Sequence, residues 1–184
     1  MVLSINSMIP VSAVNQALGL LTIVAQVLTV VLIVLAIVRR GKTGGAFLSF
    51  FRDNAIVVSF VVALVAMLGS LFYSEVAGYD PCKLCWYQRI LMYPQVALLL
   101  VALIKKRKDI VDYSLVLSVI GALIAGYHYL GQLSITSLPC SVVGFSASCS
   151  QRFVMQYGYI TIPVMAFSAF SLMIVLMAIK KTEK

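Results

Sequence analysis

The sequence predicts an all-α integral membrane protein that crosses the bilayer five times, with its amino terminus outside and its carboxyl terminus in the cytoplasm. Composition, the spacing of uncharged runs and the placement of basic residues each point to it. Of 184 residues, 62% are hydrophobic and only 11% are charged, whereas an ordinary globular chain is roughly 25% charged. The mean hydropathy is +1.05. So few polar residues cannot cover the surface of a soluble enzyme, and such low polarity excludes intrinsic disorder.

A helix needs about 20 apolar residues to cross the hydrocarbon core. No charge precedes Arg39, and the apolar stretch at 18–38 is long enough for a first span. It lacks a basic leading segment and is followed by Arg39 and Arg40, so it reads as an anchor rather than a cleaved signal peptide. Further spans are expected at 54–74, 86–104, 113–130 and 157–179, the third interrupted only by Arg89. Between spans one and two, Gly41-Lys42-Thr43 is similar to the end of a phosphate loop. Ala36, however, stands where that motif requires its first glycine.

The basic residues set the orientation. Arg39, Arg40, Lys42 and Arg52 follow span one, Lys105, Lys106, Arg107 and Lys108 follow span three, and Lys180, Lys181 and Lys184 follow span five. The alternate side holds only Lys83, Arg89 and Arg152. The rich side is cytoplasmic by the positive-inside rule. The net charge of +8 is therefore a signature of topology, and no nucleic-acid partner is expected.

Four cysteines fall in two pairs, both in connections assigned to the outer face. Cys82 and Cys85 form a C-x-x-C between spans two and three; Cys140 and Cys149 lie between spans four and five with eight residues between them. Disulfides persist on that oxidising side. Three readings compete: two structural disulfides stapling outer loops, a four-thiolate zinc site, and a redox centre. Zinc sites favour two tight knuckles, which the second pair is not, so no metal is expected. Local sequence favours redox chemistry. Asp80 is a good N-cap and Pro81 suits a first helical position, which would put both cysteines in the first turns of a helix. There the helix dipole favours thiolate over thiol. Arg89 is four residues beyond Cys85, on the same helix face, where a cation stabilises a thiolate and polarises an acceptor against it. A charge in hydrocarbon costs at least about 2.5–3.5 kcal/mol unless it finds water or a partner, and snorkelling to the interface is the competing account of Arg89. Trp86, Tyr87 and Tyr93 fit an interfacial aromatic belt and equally an apolar slot for a flat ring. His128 ends span four as either a structural hydrogen-bonder or an acceptor contact.

The run Cys82-Lys-Leu-Cys85-Trp-Tyr-Gln-Arg89-Ile-Leu-Met-Tyr-Pro94, followed by the later cysteine pair, closely resembles the signature of the disulfide bond formation protein B (DsbB-like) family. The resemblance covers about 55–179. Vitamin K epoxide reductase relatives use similar parts but place the loop pair first. The resemblance implies a four-helix bundle at 54–184, with 1–53 contributing an extra transmembrane helix and a basic loop. It implies a thiol:quinone oxidoreductase that passes electrons from an extracytoplasmic thioredoxin-like (DsbA-like) partner to ubiquinone or menaquinone in the membrane lipid. By position, Cys140 and Cys149 are the loop pair that exchanges with the partner, and Cys82 and Cys85 are the pair beside the quinone. Cys85 is the thiolate that contacts the ring, and Arg89 matches the quinone-site arginine. Trp86 and His128 are added here as candidate ring contacts. The span at 18–38 has no counterpart in the usual four-span family core.

Overall fold

The computed structural model describes residues 10–38, 45–135 and 149–182. Five helices are long and apolar enough to cross a membrane. They are α1 (Val11–Val38), α3 (Ala55–Leu71, continued by a π-helical turn at Phe72–Val76), α4 (Lys83–Ile104), α5 (Ile110–Gln132) and α6 (Ile162–Lys181). The protein is a multi-pass helical membrane protein. A short helix, α2 (Ala46–Asp53), joins α1 to α3 and was not expected from the sequence. Phe47 and Phe50 on α2 are exposed, while Phe51 packs into the cluster around Leu32 and Leu176. One half-buried face and exposed rings suit a helix lying along a membrane interface.

Helices α3, α4, α5 and α6 form a bundle, and α1 packs mainly on α6. Two devices hold the bundle together where lipid offers no hydrophobic drive. The first is close approach at small residues. A Cβ on Gly121 of α5 would run into the buried Phe170 ring of α6, so only glycine admits this contact. The second is a satisfied polar node. Gln95 of α4 accepts from Ser114 (2.7 Å) and Ser118 (3.2 Å) of α5 and donates to its own Leu91 carbonyl (3.0 Å). At the end opposite the cysteines, Lys181 pairs with Asp112 at 2.8 Å, tying α6 to α5.

Helix ends differ from the sequence expectation in two informative places. α6 begins at Ile162 rather than near 157, because Tyr157 and Gly158 turn with positive φ (51° and 79°) and an isolated bridge pairs Gln156 with Ile160. Pro163 then suits the first turn. The start of α4 is the second. Neither Asp80 nor Pro81 begins it; Cys82 is the N-cap, and its sulfur accepts from the Cys85 backbone N–H at 3.4 Å. A sulfur anion can take the place of a capping oxygen, because the first free N–H groups demand only an acceptor.

Candidate functional site

The two C-x-x-C cysteines, one helical turn apart, face different surroundings. Cys82 is 3% exposed and packs in one cluster with Leu84 and Cys149. Its sulfur lies 3.0 Å from that of Cys85 and 3.7 Å from His128 Nε2. Because Cys82 Sγ already accepts the Cys85 N–H, the proton between the sulfurs is assigned to Cys85. The hydrogen bond from Cys85 holds the Cys82 thiol far below its ordinary value, at about 4; His128 acts in the same direction, and burial opposes it. Both residues are free thiols, whereas Cys149 is disulfide-bonded. Cys140 lies outside the described residues.

His128 is 1% exposed. The Gln88 amide nitrogen lies 3.1 Å from its Nδ1 and donates to it, so the ring proton sits on Nε2. That proton faces the Cys149 carbonyl oxygen at 3.0 Å. One imidazole therefore bridges the C-x-x-C and the segment bearing the second cysteine pair. Gln132 and Arg152 fasten the same segment: the Gln132 amide donates to the Gln151 carbonyl (3.2 Å), and Arg152 donates to the Gln132 carbonyl. Tyr73, Tyr79 and Phe153 stack in series at 5.8 Å and 4.9 Å, joining the end of α3 to both cysteine-bearing connections.

Cys85 faces the other way, into a cavity of about 320 Å³ bounded by α1, α3, α4 and α6. Arg89, Gln88, Tyr93 and Met92 of α4 share that wall, with Ser70 and Tyr73 opposite. Arg89 is half-buried and partnered: Nε donates to Ser70 Oγ (2.9 Å) and Nη2 to the Ser70 carbonyl (3.0 Å). Its guanidinium also lies over the Trp86 ring, 5.3 Å from the centroid. Arginine offers five N–H donors, so Ser70 leaves others available. The buried hydroxyls of Tyr73 and Tyr93 have no hydrogen-bond partner among the described residues.

Of the residues singled out from sequence, Cys85 and Arg89 thus share the cavity, as their spacing of four predicts. Trp86 is 52% exposed and touches the site through Arg89 rather than by lining the cavity. His128 sits on the Cys82 side of the helix, away from the lining. Sequence reasoning missed Gln88, Ser70 and Tyr73. Gln88 was legible in part, since it lies three residues beyond Cys85 on a neighbouring face; Ser70 and Tyr73 become relevant only when α3 packs on α4.

The sulfurs of Cys82 and Cys85 and a His128 ring nitrogen lie within 4.8 Å of one another, a spacing compatible with a metal ion. A ligating imidazole nitrogen must be free of its proton. Both ring nitrogens are already engaged, Nδ1 with the Gln88 amide and Nε2 with the Cys149 carbonyl, so ligation would have to break one of these contacts. The arrangement is that of a dithiol beside a hydrogen-bonding imidazole.

Residues 52–180 match the family model described as Disulfide bond formation protein DsbB. The chain belongs to that family. Among curated proteins it is similar to Disulfide bond formation protein C of Bacillus subtilis, at 44% identity over 68% of this chain and 91% of that one. It is 46% identical to a probable disulfide formation protein of Oceanobacillus iheyensis over 67% of this chain and 86% of the relative. The SPbeta prophage-derived disulfide bond formation protein B of Bacillus subtilis is 41% identical over 61% of this chain and 76% of its own length. No solved structure matches significantly.

Proposed function

We propose that this protein is a quinone-dependent thiol oxidase that reoxidises an extracytoplasmic thioredoxin-like, DsbA-like partner. One observation carries the reading: Cys85 and Arg89 open together onto an apolar cavity, while Cys82 is held against the segment of Cys149. Lys105, Lys106, Arg107, Lys108, Lys180 and Lys181, at the opposite end of the bundle, support an extracytoplasmic cysteine end.

Two electrons would enter when a dithiol of the partner reduces the Cys140–Cys149 disulfide, the partner closing its own disulfide. The resulting thiols reduce the Cys82–Cys85 disulfide through a mixed disulfide, and the loop pair closes again. The burial of Cys149 beside Cys82 supports Cys149 for this inner exchange and Cys140 for the partner. Attack of Cys149 on the Cys82 sulfur would release Cys85, and attack of Cys140 on Cys149 would then release Cys82, whose low thiol pKa speeds that departure.

The cavity residues fit a quinone. Arg89 and the unpartnered Tyr73 and Tyr93 hydroxyls supply donors for carbonyl oxygens, and the remaining lining is apolar. When bound, a quinone supplies a membrane-dissolved acceptor of two electrons and two protons. The chain's part is to present the Cys85 sulfur to the cavity, keep Cys82 capped and ionised, and exclude water.

The test follows quinone reduction optically by the purified full-length protein, with a reduced thioredoxin-like dithiol as donor. Turnover is expected in wild type and lost in both Cys85→Ser and Cys149→Ser, as a relay joining the two pairs requires. Wild-type rates in Cys85→Ser would overturn the assignment. No reduction of any quinone, with all thiols locked as disulfides, would make the protein a stapled membrane scaffold.

A further inference from the structure

One wall of the cavity comes from outside the family match. The match begins at residue 52, yet Leu18, Leu21, Thr22, Ala25 and Leu28 of α1 line the space that Cys85 faces. Their spacing puts them on one face of α1. That face is held in register by defined contacts. Gln26 donates to Ser168 Oγ of α6 at 3.0 Å and accepts from the Tyr159 hydroxyl at 2.9 Å. Toward the cysteine end, Leu18 meets Gly69 of α3, where an added Cβ would lie 3.1 Å from Leu18 Cδ1. Toward the opposite end, Leu28 and Leu32 pack with Leu172 and Leu176. Among lipid tails, register comes from close packing at small residues and from interhelical hydrogen bonds, and this wall has both at Gly69 and Gln26.

The cavity is divided by polarity along its length. Cys85, Gln88, Arg89, Ser70 and Tyr73 cluster toward the cysteine end, whereas Leu28, Val58, Val61 and Leu172 offer hydrocarbon alone. Leu18 to Leu28 spans about 15 Å along the α1 axis at 1.5 Å per residue. A cavity of roughly 150 Å³ is enough for a benzene-sized ring. The volume of about 320 Å³ therefore leaves space beyond a head group, and that space is apolar.

We infer that α1, with Val58, Val61 and Leu172, forms a trough for the apolar tail of the acceptor, making this extra helix a specificity element for tailed over tailless quinones. The inference rests on reading the cavity as the quinone site. Ala25 faces the trough, and Val27, 58% exposed, points away from it. Two acceptors with the same ring, one bearing a long alkyl or isoprenoid chain and one bearing none, would be compared in full-length wild type, Ala25→Phe, Ala25→Leu and Val27→Phe. Binding is read from quenching of Trp86, the sole tryptophan, and turnover from quinone reduction. Ala25→Phe is expected to weaken the tailed acceptor about tenfold, as lost contact with roughly two methylenes predicts, and the tailless one by less than about twofold. Ala25→Leu should give a smaller change in the same direction and serves if the larger side chain prevents folding; Val27→Phe should change neither acceptor. Equal effects on both acceptors, or none on either, would overturn the trough while leaving the quinone site standing. Failure of wild type to bind or reduce either quinone would overturn both.

Discussion

Cys82 and Cys85 are neighbours in one helical turn, yet the two sides of that turn have opposite characters. On the Cys82 side the groups around the sulfur are joined in one network: Gln88 holds His128, His128 meets the Cys149 carbonyl, and Cys82 caps the helix. On the Cys85 side polar groups stand ready but unmet: two tyrosine hydroxyls lack partners among the described residues, and Arg89 has donors beyond those that Ser70 takes. A closed network suits exchange between fixed sulfurs, which needs geometry and a stable thiolate. An open one suits a diffusible ligand, whose arrival completes the hydrogen bonds. The contrast teaches that a C-x-x-C can divide its labour by direction, one sulfur toward protein and the other toward the membrane.

The sharpest way to break the comparison is at Arg89. Arg89→Ala should raise the quinone KM about tenfold or more, the loss expected for hydrogen bonds from a charged group, with a smaller fall in kcat. Arg89→Lys should recover only part of this, because lysine lacks the planar fork that reaches Ser70 and a ligand together. An unchanged KM in Arg89→Ala would mean that the arginine serves α3 packing alone.

The Cys82 side is tested by titration. The thiolate is the ionised form, so a pKa lowered to about 4 means that the ultraviolet thiolate absorbance of the reduced protein persists as pH falls, until it is lost near that value. This group stabilises the reduced fold fully above the unfolded thiol pKa, and the benefit is lost as pH falls through the folded value. His128→Ala removes a donor to the sulfur and should move the midpoint upward, while quinone affinity changes little. A midpoint unmoved by His128→Ala would remove the imidazole from thiolate stabilisation.

The smallest effect is expected at Tyr93. Tyr93→Phe deletes one buried hydroxyl without a partner, so quinone affinity should fall about fivefold while thermal stability without quinone holds or rises. Unchanged affinity would show that the hydroxyl does not serve the ligand.

Much of this molecule was legible in advance. The spans follow from length and charge, since hydrocarbon tolerates neither a short helix nor a stray cation. Cys85 and Arg89 share a wall because four residues make about one helical turn. The cap was misread because Asp80, Pro81 and Cys82 are each acceptable at a helix start; burial of Cys82 against His128 and Cys149 decides among them. The start of α6 was placed early because apolar Tyr157 and Ile160 resemble helix, although the turn at Tyr157 and Gly158 interrupts them. The eight-residue α2 was too short to stand out in its connection.

By itself, then, the sequence determined a five-span helical membrane protein with paired cysteines at one end and an arginine on the Cys85 face, because these depend on local spacing and on exclusion of charge from lipid. Only the tertiary structure decided which sulfur faces protein and which faces the cavity, that Gln88 orients His128, and that α1 closes the cavity wall. A helix apolar on all sides carries no signal of which face meets its neighbours. That choice comes from a few packed small residues and interhelical hydrogen bonds, which exist only once the helices are together.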